Sequence, residues 1–290
     1  MKKISFTFIF IMIVSLISAQ TGKVMDNLSL PSKILKMDRK YSIYLPHDYE
    51  TSSRSYPVLY LLHGRGDNQT GWIQYGEVMD ITDREIQAGS ATAMIIVMPD
   101  ANAGRWGYVN DSKGEWLYED YFFKEFIPYI EKTYRIRAEK QYRAIAGLSM
   151  GGEGTFIYAL RHPEMFSTAC PLSAATGPRD ADDLNAYLAR HQLWAQAEKV
   201  DDSVKDEYFK KYSVLYLIRN MPDSQKRAVR WYIDCGDDDF LYEGNSLVHI
   251  AMRDKEIPHE FRIRDGVHSW VYWRESLPQV LQFVSKGFHR

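Results

Sequence analysis

The sequence predicts an α/β fold in which a mostly parallel central sheet carries helices on both faces. Continuous apolar runs of strand length, such as residues 57–62 and 93–98, are typical of parallel strands that are buried on both sides. Between such runs lie segments with the apolar spacing of a helix, as in residues 118–134. A third observation is the G-x-S-x-G pattern at residues 147–151, which is typical of a sharp turn from a strand into a helix.

Each element follows from a local pattern. Residues 33–37 and 41–45 are predicted strands because two apolar stretches flank a polar turn at Asp38 and Arg39. Residues 118–134 form a predicted amphipathic helix with a core-facing apolar stripe, and a loop rich in glycine, asparagine and tryptophan precedes it. The later strands are predicted at residues 142–146, 166–172, 228–235 and 260–264, and the later helices at residues 153–161, 242–253 and 275–286.

One stretch, residues 177–225, interrupts this rhythm of strands and helices. It is polar and helix-prone. It is predicted to be a helical insertion over the carboxyl ends of the strands, where it could roof a site; a plain surface elaboration is an equally open interpretation.

The first 19 residues have the pattern of a secretory signal peptide. Lys2 and Lys3 precede an apolar run over residues 4–17, and Ser18-Ala19 supplies a small-residue cleavage site. The run is shorter than a comfortable membrane span, so a retained anchor is disfavoured. We therefore expect a secreted or periplasmic protein without membrane attachment after cleavage, whose residues 20–290 form a single domain.

Composition narrows the classes of partner. At 290 residues, with 45% hydrophobic and 26% charged residues, the chain is typical of a globular domain. Its net charge of -2, without a long basic run, argues against nucleic acid or an anionic membrane as the main partner. Two cysteines, Cys170 and Cys235, cannot form a structural zinc site, and free buried thiols are favoured over a disulfide. No metal or cofactor is expected.

The serine of the 147–151 pattern needs a base, because a serine hydroxyl is a weak nucleophile at its own pKa. In this architecture the acid and the histidine follow the serine in that order, each on a loop after a strand. His268, in a loop after the last predicted strand, is the best candidate base for Ser149. His63 and His162 are predicted to be structural. The acid lies among residues 237–239, three adjacent aspartates that this reasoning does not separate.

An oxyanion hole is expected from two backbone N–H groups, one on the residue after the serine and one on the loop after an earlier strand. One is the amide of Met150, which also begins a helix whose dipole favours negative charge. The other is expected from the glycine-rich loop after residues 57–62, with Arg65 as the preferred donor and Gly64 as the alternative. The aromatic candidates for a substrate pocket are Trp72, Trp106, Tyr108, Trp194 and Trp270.

The chain resembles the esterase D-like α/β hydrolases, which include secreted feruloyl esterases and acetyl xylan esterases. The segments that carry the resemblance span most of the chain, in order: residues 56–64, 97–100, 144–152, 235–241 and 268–273. The resemblance implies an α/β-hydrolase fold with Ser149 and His268 in a catalytic triad. It also implies that Asp239, which directly precedes the aromatic Phe240, is the acid.

Together these observations predict a serine esterase that acts through an acyl-enzyme on a small-molecule or polysaccharide ester. Acetyl or hydroxycinnamoyl groups on plant polysaccharide are the expected substrates. Two alternatives remain open: an acyltransferase on the same fold, as in secreted mycolyltransferases, and a non-catalytic carbohydrate-binding homologue.

Overall fold

The computed structural model describes residues 21–102, 107–111, 114–180, 183–184 and 201–289, and within them eight strands form one sheet. The strand order is β1-β2-β4-β3-β5-β6-β7-β8. β1 pairs antiparallel with β2, and β2 pairs antiparallel with β4, whereas every pairing from β4 to β8 is parallel. The strands are β1 Lys23–Ser32, β2 Met37–Leu45, β3 Val58–Leu62, β4 Ile95–Pro99, β5 Arg143–Leu148, β6 Thr168–Leu172, β7 Arg230–Gly236 and β8 His259–Arg264.

Both faces of this sheet are covered, as the continuous apolar runs predict. Within β3, Tyr60 and Leu62 pack into one core cluster, whereas Leu59 and Leu61 pack into the other. All five side chains of β3 are fully buried. Because successive residues of a strand point to opposite faces, a strand covered on both faces needs apolar residues at every position.

The two layers of helices supply the rest of each core. One cluster contains side chains of the helices around residues 118–133, 150–161 and 242–254, and the other contains those of the helices around residues 78–87 and 270–288. The helices are Gly71–Gln74, Val78–Gln87, Tyr118–Tyr121 continued by a π-helical turn at Phe122–Phe126 into Ile127–Thr133, Met150–Arg161, Asp202–Tyr212, Val214–Arg219, Tyr242–Asp254 and Trp270–Phe288.

The amino-terminal hairpin differs from the prediction. Its first strand is Lys23–Ser32, and the turn lies at residues 33–36, so that Asp38 and Arg39 belong to β2. The predicted strand at residues 33–37 and the predicted turn at Asp38-Arg39 are therefore wrong. The cause is that β1 is a largely exposed edge strand, which carries little of the apolar pattern that marks a buried strand.

Two further differences affect the site. The helices Gly71–Gln74 and Val78–Gln87 were not predicted, and the final helix begins at Trp270 instead of Glu275. The described part of the 177–225 insertion contains the helices Asp202–Tyr212 and Val214–Arg219, whose buried side chains join the core on one face of the sheet. The proposed signal peptide lies outside the described residues, and none of the helices that are described is long and apolar enough to span a membrane.

Candidate active site

The turn between β5 and the helix Met150–Arg161 holds Ser149 in an unusual backbone conformation. Its φ of 54° and ψ of -116° are strained for a residue with a side chain. Backbone hydrogen bonds maintain this conformation: the Ser149 amide donates to the Leu172 carbonyl over 2.9 Å, and the Ser149 carbonyl accepts from the Glu153 and Ala175 amides. In this conformation the chain turns at Ser149 directly from β5 into the helix that begins at Met150.

The glycines that flank Ser149 are required by close backbone packing. A Cβ on Gly147 would lie 2.5 Å from the Gly151 carbonyl oxygen, and a Cβ on Gly151 would lie 2.6 Å from the Leu62 carbonyl oxygen. Because backbone atoms cannot rotate away as a side chain can, neither position accommodates even alanine without a shift of the chain. The G-x-S-x-G pattern is thus a requirement of this turn.

His268 lies between Ser149 and Asp239 and contacts both. Its Nε2 is 3.0 Å from the Ser149 Oγ, and its Nδ1 is 2.8 Å from one Asp239 carboxylate oxygen and 3.0 Å from the other. These residues lie at the carboxyl ends of β5, β7 and β8, at one edge of the sheet. The arrangement orders a serine hydroxyl, an imidazole and a carboxylate in one hydrogen-bonded line.

Asp239 is the aspartate that reaches His268, and its side chain is fully buried. Burial alone raises the pKa of Asp239, but hydrogen bonds from His268, the Leu241 amide and Ser173 bring it below the usual value of a carboxyl group. Asp237 has a different contact, since its carboxylate accepts a hydrogen bond from the Gly266 amide over 3.0 Å. The side chain of Asp238 is exposed.

Aromatic rings enclose the imidazole of His268. The Trp273 ring packs edge-on against it at 4.9 Å between centroids, and the Trp273 indole N–H donates to the Ser173 hydroxyl over 3.0 Å. Phe240 lies 4.5 Å from the same imidazole, although 72% of its surface is exposed. Because Ser173 also hydrogen-bonds to Asp239, Trp273 is tied to both the acid and the base.

A cleft of about 420 Å³ opens at Ser149 and His268. The loop after β3 forms one wall of it, and the start of the helix Trp270–Phe288 forms another. The lining residues are Gly64, Arg65, Asp67, Leu148, Ser149, His268, Ser269, Trp270 and Trp273. Both residues proposed for the loop side of the oxyanion hole, Gly64 and Arg65, therefore line the same cleft as Ser149, and Met150 is the first residue of the helix that follows the serine.

The imidazole of His63 holds this loop from beneath and is almost fully buried. Its Nε2 accepts a hydrogen bond from the Ala101 amide over 2.9 Å, so Nδ1 carries the proton and donates to the Gly64 carbonyl over 2.8 Å. The Tyr108 hydroxyl accepts from the His63 amide and donates to the His63 carbonyl. The prediction that His63 has a structural role agrees with these contacts.

The five aromatic candidates have different positions. Trp270 lines the cleft, whereas Trp72 is fully buried with its indole N–H donating to the Leu62 carbonyl. Tyr108 is 2% exposed and supports His63. Trp72 and Tyr108 thus do not lie on the cleft surface, because the core and the loop scaffold occupy both rings. Trp106 and Trp194 lie outside the described residues.

Several residues of the site were absent from the sequence-based prediction. Asp67 lies in the same loop as Arg65 and could have been included on that ground. Phe240 and Trp273 belong to segments 235–241 and 268–273, which carry the family resemblance, but neither was predicted as a site residue. Ser173 had no local signal, since only the pairing of β6 with β7 brings it near Asp239.

Neither cysteine lines the cleft, although the thiol of Cys235 is hydrogen-bonded to Ser173. Cys170 and Cys235 are free and buried. Among the residues that the structure describes, no group of three or more histidine, cysteine, aspartate or glutamate side chains could hold a metal ion.

Comparison with known proteins gives a consistent set of relatives. Residues 32–284 match a family described as "Putative esterase". A solved ferulic acid esterase is 39% identical, with a TM-score of 0.79, over 92% of this chain and 99% of that one. An endo-1,4-beta-xylanase/feruloyl esterase of Xylanibacter ruminicola is 38% identical over 47% of this chain and 19% of its own length. An acetyl esterase of Caldicellulosiruptor saccharolyticus is 23% identical over 88% of this chain and 96% of its own.

The match spans only a small part of some of these relatives. It covers 19% of the xylanase/feruloyl esterase and 28% of an esterase of Mycobacterium tuberculosis, which is 38% identical over the matched region. The eight-stranded, mostly parallel sheet agrees with those of the solved esterases, so the predicted α/β-hydrolase fold is confirmed.

Proposed function

Because the chain belongs to the esterase family, we propose that it is a serine carboxylic-ester hydrolase with Ser149, His268 and Asp239 as its catalytic triad. The observation that carries this proposal is the position of His268, whose two nitrogens lie 3.0 Å from the Ser149 hydroxyl and 2.8 Å from the Asp239 carboxylate. Each contact is within the distance that proton transfer and orientation require.

In the first half of the reaction, the Ser149 Oγ attacks the ester carbonyl carbon while His268 Nε2 takes the hydroxyl proton. The carbonyl oxygen becomes an oxyanion, for which we propose the backbone N–H groups of Met150 and Arg65 as donors, with Gly64 as the alternative to Arg65. The bond to the leaving alcohol then breaks as the imidazolium returns its proton to the alcohol oxygen. The product of this half is an acyl group on Ser149.

In the second half, water replaces the alcohol. His268 takes a proton from the water, whose oxygen attacks the acyl carbon, and the bond to the Ser149 Oγ breaks as that oxygen regains a proton. Asp239 stabilises the imidazolium in both halves and holds Nδ1 in the protonated form. Its lowered pKa keeps the carboxylate ionised when the imidazole becomes charged.

For the substrate, we propose esters of acetyl or feruloyl groups on plant polysaccharide. The names of a ferulic acid esterase at 39% identity and of an acetyl esterase at 23% identity support this class. The cleft of about 420 Å³ is open to solvent beside exposed aromatic and apolar side chains, which suits a substrate attached to a larger chain. The amino-terminal residues support secretion, with residues 1–19 as the signal peptide.

The test is a panel of acetyl, feruloyl and short alkyl esters together with a fluorophosphonate probe that labels activated serines. We expect wild-type protein to hydrolyse members of the panel and to be labelled at Ser149. The control is Ser149→Ala, which should lose both properties and keep the fold. A wild-type protein that neither cleaves any ester nor reacts with the probe would overturn the proposal.

A further inference from the structure

The wall of the cleft contains one carboxylate that the proposed mechanism does not use. Asp67 lines the cleft together with Ser149 and His268, and its side chain is partly buried. Within the described part of the chain, no residue donates a hydrogen bond to its carboxylate, although its backbone carbonyl accepts from Asn102. A carboxylate with oxygens open to a substrate cleft can accept hydrogen bonds from the substrate.

Asp67 faces the nucleophile across Gly64. The position that a Cβ on Gly64 would occupy lies 3.7 Å from an Asp67 carboxylate oxygen, 3.5 Å from the Ser149 Cβ and 2.6 Å from the Leu148 Cδ1. Leu148 therefore fills that position, and the Asp67 carboxylate oxygen and the Ser149 Cβ, which both border it, lie at most about 7 Å apart. A group bound to the serine can span this distance within the cleft that both residues line.

An aromatic ring lies beside the same carboxylate. A Cβ on Gly71 would lie 3.2 Å from the Asp67 Cβ and 3.4 Å from the Trp270 ring. Asp67 and Trp270 therefore lie on either side of this second glycine. Trp270 is held in place by three other rings, those of Trp72, Tyr75 and Trp273, at 5.1, 5.8 and 5.3 Å between centroids. A rigid indole next to a carboxylate suits a ligand with apolar C–H faces and hydroxyl edges, such as a sugar ring.

Trp270 also indicates which half of the ester this wall contacts. It lies two residues after His268, and Ser269 between them lines the cleft as well. Because His268 must reach the oxygen of the leaving alcohol to protonate it, the wall next to His268 borders the alcohol half of the substrate.

Resting on the proposed function, we infer that Asp67 is a specificity-determining residue that accepts hydrogen bonds from hydroxyl groups of a polyol in the alcohol half of the ester, beside Trp270. Burial raises the pKa of Asp67, and a more basic carboxylate is the better acceptor. The interaction is present before and during the reaction, so it acts mainly on substrate binding.

The experiment compares Asp67→Asn with wild type on two acetyl esters that differ only in the alcohol, monoacetylated xylobiose and p-nitrophenyl acetate. We expect kcat/KM for the xylobiose ester to fall about tenfold, mainly through KM, because the neutral amide oxygen of asparagine is a weaker acceptor than a carboxylate. The value for p-nitrophenyl acetate, whose alcohol half lacks a hydroxyl donor, should stay within about twofold. Asp80→Asn, the same change of charge on the exposed face of the helix Val78–Gln87, should change neither.

A second pair of substrates tests whether the hydroxyl that Asp67 binds belongs to the alcohol half or to the acyl half of the ester. Methyl p-coumarate and methyl cinnamate share the alcohol and differ by a phenolic hydroxyl in the acyl half. If Asp67→Asn affects only methyl p-coumarate, or lowers all four rates equally, or lowers none, the assignment to the alcohol half is overturned. Fluorophosphonate labelling of the wild type and hydrolysis of p-nitrophenyl acetate report on the proposed function independently of this result.

Discussion

The imidazole of His63 donates a hydrogen bond to the carbonyl oxygen of its neighbour, Gly64, over 2.8 Å. That carbonyl belongs to the same planar peptide as the Arg65 N–H, and the two groups point in opposite directions. By holding the carbonyl against its own buried ring, His63 fixes the plane of this peptide and directs the Arg65 N–H away from the imidazole. A buried side chain thus orients a proposed oxyanion donor.

We therefore predict that His63→Ala lowers kcat about 10- to 100-fold with a smaller change in KM, as for the weakening of one oxyanion donor. His63→Asn offers a matched control, because an amide N–H can replace Nδ1 as the donor to Gly64. It should retain more activity than His63→Ala although both lose the acceptor for the Ala101 amide. Equal kcat values for the two variants would contradict this role, and thermal unfolding should be measured for both.

The acid of the triad gives the second prediction. Asp239→Asn keeps the size of the side chain but favours the wrong imidazole tautomer, so kcat should fall by about four orders of magnitude. Asp238→Asn is the control, since it removes the same charge from a side chain that is exposed. Steady-state kinetics on p-nitrophenyl acetate distinguish them. An Asp239→Asn enzyme with near-normal turnover would refute the assignment.

The contrast between these two aspartates shows a limit of prediction from the sequence, which does not indicate which of several adjacent acids contacts the histidine. Ser149 was recognisable because its requirements are local: Gly147 and Gly151 must lack side chains within five residues of the chain. Residues 237–239 are three adjacent acids, and the direction of each side chain depends on the geometry of the turn, which no periodicity encodes. Family resemblance implied Asp239, and the structure brings that residue next to His268.

The aromatic residues illustrate the same limit. Trp72 and Trp270 both neighbour loops of the site, and nothing in their local sequence separates them. The difference arises from tertiary packing, because the helix Gly71–Gln74 places Trp72 in the core with its N–H on the Leu62 carbonyl. The mostly parallel sheet, by contrast, could be predicted from its continuous apolar runs, whereas the exposed strand β1 has no such signal.

A buried acid far from the triad gives a prediction for stability. Glu119 accepts a hydrogen bond from Arg161 over 2.7 Å and from Tyr212 over 2.9 Å, and contacts His162 at 3.0 Å. Burial alone raises the pKa of Glu119, but the contacts with His162 and Arg161 lower it to about 2, from a usual value of 4.5. A carboxyl with a lowered pKa contributes stability above its unfolded pKa and loses it as the pH falls toward the folded one.

Glu119→Gln should therefore lower the free energy of unfolding by about 3 kcal/mol at pH 7. The difference between variant and wild type should shrink as the pH falls from about 4.5 to about 2. Urea unfolding of the wild type and of Glu119→Gln at pH 7 and pH 3 measures this difference in the free energy of unfolding. The same difference at both values would show that Glu119 contributes through packing alone and would contradict the electrostatic argument.

The cysteines give a prediction about reactivity. Burial, together with the charges of Asp239 and Asp234, raises the pKa of Cys235 to about 12, and burial also raises the pKa of Cys170. Since the thiolate is the reactive form, neither should react with Ellman's reagent in the native protein at pH 8. After unfolding without reductant, two thiols per chain should react with the reagent. If no thiol of the unfolded protein reacts, Cys170 and Cys235 form a disulfide.

The last prediction concerns the turn that holds Ser149. In Gly151→Ala, the new Cβ would lie 2.6 Å from the Leu62 carbonyl oxygen and 2.7 Å from that of His63. Both belong to the end of the central strand β3 and the loop that follows it, so relief of the clash must move either that loop or the helix after Ser149. We expect a loss of stability of about 3 kcal/mol or more, and a fall in kcat in whatever protein remains folded.

Gly244→Ala is the matched control for this substitution. Gly244 lies in the helix Tyr242–Asp254, and its Cβ would lie 2.8 Å from the side-chain hydroxyl of Thr176. The Thr176 side chain can change rotamer or shift where a strand carbonyl cannot, and alanine favours the helix by about 1 kcal/mol, so the net effect should be smaller than for Gly151→Ala. Thermal unfolding and p-nitrophenyl acetate hydrolysis should thus separate the two variants. A Gly151→Ala protein as stable and active as Gly244→Ala would show that the approach of the helix to β3 is not what requires glycine at this position.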